Sequence, residues 1–237
     1  MRVVNLQAQP QRWALADGSA AWVVDELLAD PQAWIESAAH GHKSFREREE
    51  NFYPGLEWAL DDELVQPLIE MFTSHLRGPL GVRRVLSAKA RLSLATLQPQ
   101  QLAPLQRLCH RDRFGLPDHG LIAACTLYLF DDPQLGGTGF YRPKRPVIAI
   151  DADIERWQSM SAADFTRDTG LTPAYQTSSN DHFQHIGTVP ARLNRGVFYD
   201  GALFHSAHIE HPQLLSADPR RGRLTLNAFF TCRAVAS

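Results

Sequence analysis

In the stretch "LCHRDRFG", residues 108–115, an imidazole and a carboxylate stand two positions apart, at His110 and Asp112. Along an extended segment, residues i and i+2 leave the backbone on the same face, so this spacing aims both side chains into one volume. A metal needs at least a third ligand. The segment "GVFYDGALFHSAHIEH", residues 196–211, offers two imidazoles on or beside a late strand, His205 and His208. Two imidazoles and one carboxylate on a single face of a metal leave three positions open, which suits Fe(II) when a bidentate cosubstrate and O2 need adjacent vacant sites. Cys109 adjoins His110, but strand alternation turns it away, which excludes it as a ligand.

Certain elements must hold these groups. "VVDELLADPQAWIESAAHG", residues 23–41, has the marks of a helix: Asp30 as N-cap, Pro31 at the first helical position, then Trp34, Ile35 and Ala38 at helical spacing. A second helix is predicted over 61–76, with Leu64, Leu68, Met71 and Phe72 on one stripe and Pro67 as a kink point. Between them "NFYPG" reads as a turn. After Arg84 short apolar runs alternate with Pro, Gly and Asp, which predicts strands at 85–97, 107–112, 121–130, 138–141, 147–150, 185–189, 195–200, 203–208 and 223–232. A helical insert is expected at about 152–170 from Ile154, Trp157 and Met160, placed to act as a lid. These elements describe an α+β protein: N-terminal helices over 1–84 buttressing a β-sandwich or jelly-roll core at 85–233, whose mouth is a natural ligand site.

Bulk properties narrow the function classes. The 237 residues fit one domain, and with 44% apolar and 21% charged residues the chain reads as a packed globular protein. Lys and Arg number 24 against 26 Asp and Glu, a formal net charge of −2, which argues against nucleic-acid binding. No stretch approaches 18 uncharged apolar residues and the first residues lack a secretory pattern, so no membrane association is expected. Cys109, Cys125 and Cys232 form no close pair and read as free thiols, which favours the cytoplasm. Oligomeric state has no sequence signature here.

Four blocks taken in order, "CHRDRFG", "LIAACTLYLFDDPQLGGTGFY", "GVFYDGALFHSA" and "GRLTLNAFF", resemble the 2-oxoglutarate and Fe(II)-dependent dioxygenases, in particular their prolyl-hydroxylase-like branch. The resemblance covers about residues 85–232. It implies a double-stranded β-helix, with Fe(II), 2-oxoglutarate and O2 as cofactor and cosubstrates. By position it makes His110, Asp112 and His205 the iron ligands, with His208 as the alternative to His205. Arg223 looks like the anchor of the distal 2-oxoglutarate carboxylate, where a guanidinium offers a bidentate, charge-assisted fit. Thr225 and Tyr128 are similar to its hydroxyl partners. The long stretch between His205 and Arg223 departs from the pattern and leaves Arg221 as a rival anchor. Tyr141 and Arg142 are candidates for facing a substrate, either a small molecule or an amino-acid or peptidyl group.

Each residue also has a plainer reading. His110 and Asp112 would make a surface ion-pair cluster with Arg111 and Arg113, Tyr128 a sheet core aromatic, Arg223 a surface charge, and "GGTGFY" a hairpin turn. His40, His42, His75, His119, His182, His185 and His211 are read as structural or solvated. Two other functions stay open at this stage: a catalytically silent jelly-roll binding module, and a cupin-like metalloenzyme that uses no 2-oxoglutarate.

Overall fold

The computed structural model describes residues 4–47, 53–113 and 120–235. Residues 51 and 52 of the expected turn, and His119, lie outside them. Its elements in chain order are β1 (Gln11–Ala14), β2 (Ala20–Val24), α1 (Pro31–His40), β3 (Gly55–Ala59), α2 (Asp62–Met71), β4 (Val82–Ala95), β5 (Gly120–Tyr128), β6 (Gly137–Pro143), α3 (Val147–Gln158), α4 (Ala162–Thr169), β7 (Phe183–Val189), β8 (Gly196–Asp200), β9 (Phe204–His208) and β10 (Arg223–Ala234). No helix among the described residues is long and apolar enough to cross a membrane.

Two antiparallel sheets face each other. The larger has the order β1-β2-β8-β5-β10-β4-β3 and the smaller β7-β6-β9. From β4 onward the chain passes from sheet to sheet: β4 in the larger, residues 109–112 against β9 of the smaller, β5 in the larger, β6 and β7 in the smaller, then β8, β9 and β10 in alternation. That winding is a double-stranded β-helix. β10 lies between β4 and β5 and pairs with both along its length. It is therefore a fully internal strand, and its sequence alternates between two buried faces. Leu224, Leu226, Ala228 and Phe230 point to the helices; Arg223, Thr225 and Asn227 point into the barrel.

The helices cover the outer face of the larger sheet. Asp30 caps α1 by accepting from the Ala33 amide at 3.0 Å, and Pro31 occupies its first position. Trp34, Ile35 and Ala38 of α1 join Val65, Leu68 and Met71 of α2 over Leu92, Leu94, Leu127 and Phe230. Helix α2 runs through Pro67 and then widens into a π turn at Phe72–Leu76, where the Arg77 amide donates to the Phe72 carbonyl. The wide turn sets the Phe72 ring flat on Phe230, with centroids 4.3 Å apart. Inside the barrel, Ala124, Tyr128, Phe140, Val189, Val197 and Tyr199 form a second cluster.

Several expectations are corrected. The first 84 residues are not purely helical: β1, β2 and β3 extend both edges of the larger sheet, the β1–β2 hairpin turning at Asp17-Gly18 with Gly18 at φ +89°. Residues 147–150 are the first turn of α3, because the run "VIAI" continues into Ile154 and Trp157 at helical spacing. Residues 107–112 form no regular strand; a 3-10 turn ends at Arg107, and of the described residues only His110 makes a ladder bridge, to His205. The helical insert is a pair, α3 and α4, and it is no lid. Ile150, Trp157 and Phe165 pack with Tyr141, Phe183 and Phe204 on the outer face of the smaller sheet.

Phe72→Ala empties the stacked site between the helices and β10 and is expected to cost about 3–5 kcal/mol of unfolding free energy. Urea unfolding followed by tryptophan fluorescence measures the loss.

Candidate metal centre

His110, Asp112 and His205 each present one ligand atom, and these atoms all lie within 4.8 Å of one another. Backbone pairing explains the convergence. The His110 amide donates to the His205 carbonyl and the His205 amide to the His110 carbonyl, both at 2.9 Å, while the Asp112 amide donates to Gly201 O at 2.8 Å. Alternation then turns both side chains of the His-x-Asp unit inward and Cys109 and Arg111 outward. The imidazole centroids are 4.4 Å apart, and the Tyr199 ring backs His205 at 4.6 Å.

The charges inside this site are poised for a cation. Asp112 is buried, and its Oδ2 lies 3.2 Å from His205 Nε2. Yet Oδ2 accepts no hydrogen bond. His205 Nδ1 lies 2.9 Å from the Leu203 carbonyl, which orients the ring with Nε2 toward Asp112. A carboxylate oxygen and an imidazole nitrogen thus face each other out of water, an arrangement that suits a divalent metal between them. The residues present fit such an ion. Burial raises the Asp112 carboxyl pKa, but His205, then His110 and Arg91, more than offset this and hold it below the usual value. Surrounding protein, then His205, lower the pKa of His110 against the pull of Asp112, although 58% of its side chain is accessible. The triad therefore rests as carboxylate and neutral His110, the forms that ligate metal.

Deeper along the barrel lies a second polar group. Arg223 is buried, its Nε donating to Leu135 O at 3.0 Å and its Nη2 to Gly137 O at 2.8 Å. The Tyr128 hydroxyl, 2.7 Å from Thr138 Oγ1, belongs to the same interior, and burial pushes its pKa up to about 12. Thr225 is opposite Tyr128 in the β10–β5 register and accepts from Asn227 Nδ2 at 3.1 Å. The Gly136-Gly137-Thr138 unit builds this corner: Gly136 has φ +80° and a Cβ there would lie 1.9 Å from the His208 carbonyl oxygen, while Gly137 and Thr138 supply partners to Arg223 and Tyr128. The sequence reading missed Thr138, and also Tyr53, whose hydroxyl pKa burial raises against the opposing Arg223 charge.

Other candidates fall outside the site. His208, three residues from His205, points to the opposite face of β9, its Nε2 3.8 Å from Glu210. Arg221 is exposed in the turn before β10. Tyr141 does not face the barrel: it packs beneath α3 and α4, its hydroxyl donating to Gln176 O at 2.7 Å. Arg142 is exposed and reaches Gln184 at 2.6 Å. Alternation in β6 turns Tyr141 outward under the insert, while Arg142, one residue on, is exposed near the strand's end. Arg111 pairs with Asp151 of α3 and lies over the Phe204 ring at 4.8 Å, so it braces the residues flanking two ligands. Gln176, unforeseen in the sequence, holds the Cys109 amide at 2.7 Å.

Asp112→Ala should weaken Mn(II) binding by at least about 100-fold, because it removes the anionic ligand. Calorimetric titration under nitrogen measures it. Arg111→Ala removes only the brace and should weaken the same binding by about tenfold, with the far-ultraviolet circular dichroism unchanged.

The structure resembles several solved ones at low identity. SnoN, a non-haem alpha-ketoglutarate dependent epimerase from nogalamycin biosynthesis, is 14% identical with a TM-score of 0.48, covering 90% of this chain and 79% of its own. HygX from Streptomyces hygroscopicus, solved with nickel and 2-oxoglutarate, is 12% identical with a TM-score of 0.48, covering 91% and 83%. A prolyl hydroxylase from Trichoplax adhaerens, in complex with a hypoxia inducible factor peptide, is 9% identical with a TM-score of 0.45, covering 90% and 83%. A search of curated protein sequences finds no match. A family model matches residues 6–230, nearly the whole chain, and on that match the protein belongs to DUF6445, a family of unknown function.

Proposed function

We propose that the protein is a non-haem Fe(II) and 2-oxoglutarate-dependent dioxygenase that hydroxylates a C–H bond of a small molecule or an amino-acid or peptidyl group. One observation carries this reading. Two imidazoles converge on a buried carboxylate, one of whose oxygens accepts no hydrogen bond, inside a barrel that also buries an arginine. Three protein ligands on one side leave room for a bidentate oxo acid and O2. When bound, iron and 2-oxoglutarate would supply the oxidising chemistry, O2 being consumed as the oxo acid yields succinate and CO2 and the substrate gains a hydroxyl group.

The chain's own residues do the positioning. His110, Asp112 and His205 hold the ion, with the His205 ring oriented by Leu203 O. Arg223, Tyr128 and Thr225 take the distal carboxylate of the oxo acid. Two backbone carbonyls fix the guanidinium of Arg223 before the ligand arrives, which lowers the ordering cost of binding. Phe140 and Tyr199, 5.2 Å apart, line the interior and keep water from the reacting centre. Asp112 keeps its position as a ligand, which favours hydroxylation over halogenation, where a halide takes the carboxylate's place. The buried thiols of Cys109, Cys125 and Cys232 fit the reducing cytoplasm as the place of action.

Anaerobic addition of Fe(II) and 2-oxoglutarate should produce a weak visible charge-transfer band, and admission of O2 should release succinate. Arg223→Lys keeps the charge but loses the fork, and should weaken 2-oxoglutarate binding by about tenfold or more, while Mn(II) affinity stays near that of the parent. A fold that binds metal but gives no band and no succinate would sink the oxygenase reading in favour of a binding module. Metal-dependent activity indifferent to Arg223 would favour an enzyme that uses no oxo acid.

A further inference from the structure

The larger sheet turns toward the barrel interior a wall of which the chemistry so far uses only Thr225 and Tyr128. The β3–β4–β10–β5 register puts Glu57, Ser93, Thr225 and Tyr128 in one row and Ala59, Arg91, Asn227 and Thr126 in the next. Leu92, Leu94, Leu224 and Leu226, one residue away in each case, lie in the cluster under the helices. Both rows therefore face the barrel interior. Arg91 stands beside Asn227 on this face, one row from Thr225 and Tyr128.

Arg91 is built to be held and still be offered. Its Nε lies 2.6 Å from Oε1 of Glu57, which is buried and also accepts from Ser93 Oγ. Its guanidinium lies over the Phe229 ring at 4.8 Å, yet 28% of the side chain is accessible. A carboxylate on the Nε side and an aromatic ring against the guanidinium fix its plane and leave the edge formed by its two terminal nitrogens for a second, bidentate partner. Lys89, two residues along the same face, is exposed, and beyond it Arg84 is paired directly with Arg233 across the strands. Like charges in such a pair repel, and neither arginine has an ion-pair partner among the described residues. The wall is thus cationic, and Glu57 is already committed to Arg91.

The geometry points to Arg91 as the recognition residue for a carboxylate carried by the substrate, with Glu57 and Phe229 as its positioning residues. This deepens the dioxygenase reading and rests on it. It names a substrate class, a small organic acid whose carboxylate seats on Arg91 while the rest of the molecule extends toward the triad.

The test loads the protein with Mn(II) and 2-oxoglutarate under nitrogen and titrates it with N-acetyl amino acids and their methyl esters. At least one acid should bind tenfold or more tighter than its ester, about 1.4 kcal/mol. Arg91→Gln alone strands a buried Glu57, so the decisive variant is Glu57→Gln with Arg91→Gln, which leaves a neutral pair. In it the preference for acid over ester should fall to about one, with Mn(II) and 2-oxoglutarate affinities within about threefold of the parent. If no acid outruns its ester, or the preference survives in the double variant, the Arg91–Glu57 pair is structural only and the inference is overturned. A parent protein that binds neither Mn(II) nor 2-oxoglutarate overturns the dioxygenase reading itself, and this inference with it.

Discussion

Asp112 Oδ2 and His205 Nε2 face each other across 3.2 Å, both buried. Burying a carboxylate beside two imidazoles is costly, so the surrounding structure must enforce the approach. It does so with backbone hydrogen bonds: the reciprocal pair between His110 and His205, and the Asp112 amide on Gly201 O. These bonds belong to the closure of the barrel. The site is a by-product of how the smaller sheet is completed, held by a ladder that side-chain rotation cannot relax.

The same closure organises the polar interior. Arg223 opens β10, the central strand of the larger sheet, and its guanidinium is caught by the carbonyls of Leu135 and Gly137 at the entry to β6 in the smaller sheet. The arginine therefore ties the two sheets together at one depth while the His110–His205 bridge joins two segments of the smaller sheet at another. Between these levels the wall carries Thr225, Asn227 and Arg91 in place of the leucines that fill the opposite face. A barrel that buries this many polar side chains gives up hydrophobic stability, and the apolar compensation sits outside it. Helices α1 and α2 seal the larger sheet, and α3 and α4 seal the smaller.

Much of this was legible beforehand for identifiable reasons. The His-x-Asp unit, the late histidine, and Arg223 with Thr225 on one strand face follow from residue type and a period of two, and the capping of α1 from Asp30 and Pro31. Other features were legible but passed over: Asp17-Gly18 is an ordinary hairpin signal, and it turns β1 into β2. The choice between His205 and His208 turned on strand parity, which a sequence fixes only once the strand's register is known. Residues 147–150 were ambiguous because four apolar residues suit a strand or a helix equally. Tyr141 could be put on a strand from its neighbours, but its face depended on what covered that face.

Local chemistry, then, is what the sequence by itself determined: which groups can ligate a metal, which alternate inward on one strand, and where helices start. The tertiary structure decided what depends on distant pairing. It set His110 against His205 across 95 residues of chain, placed α3 and α4 outside the smaller sheet instead of over the mouth, and turned Arg91 to the barrel interior. The physical reason is that alternation specifies only that successive side chains point to opposite faces. Which face becomes the interior, and what stands across it, is settled by sheet order and register, and those arise from contacts between segments far apart in the chain.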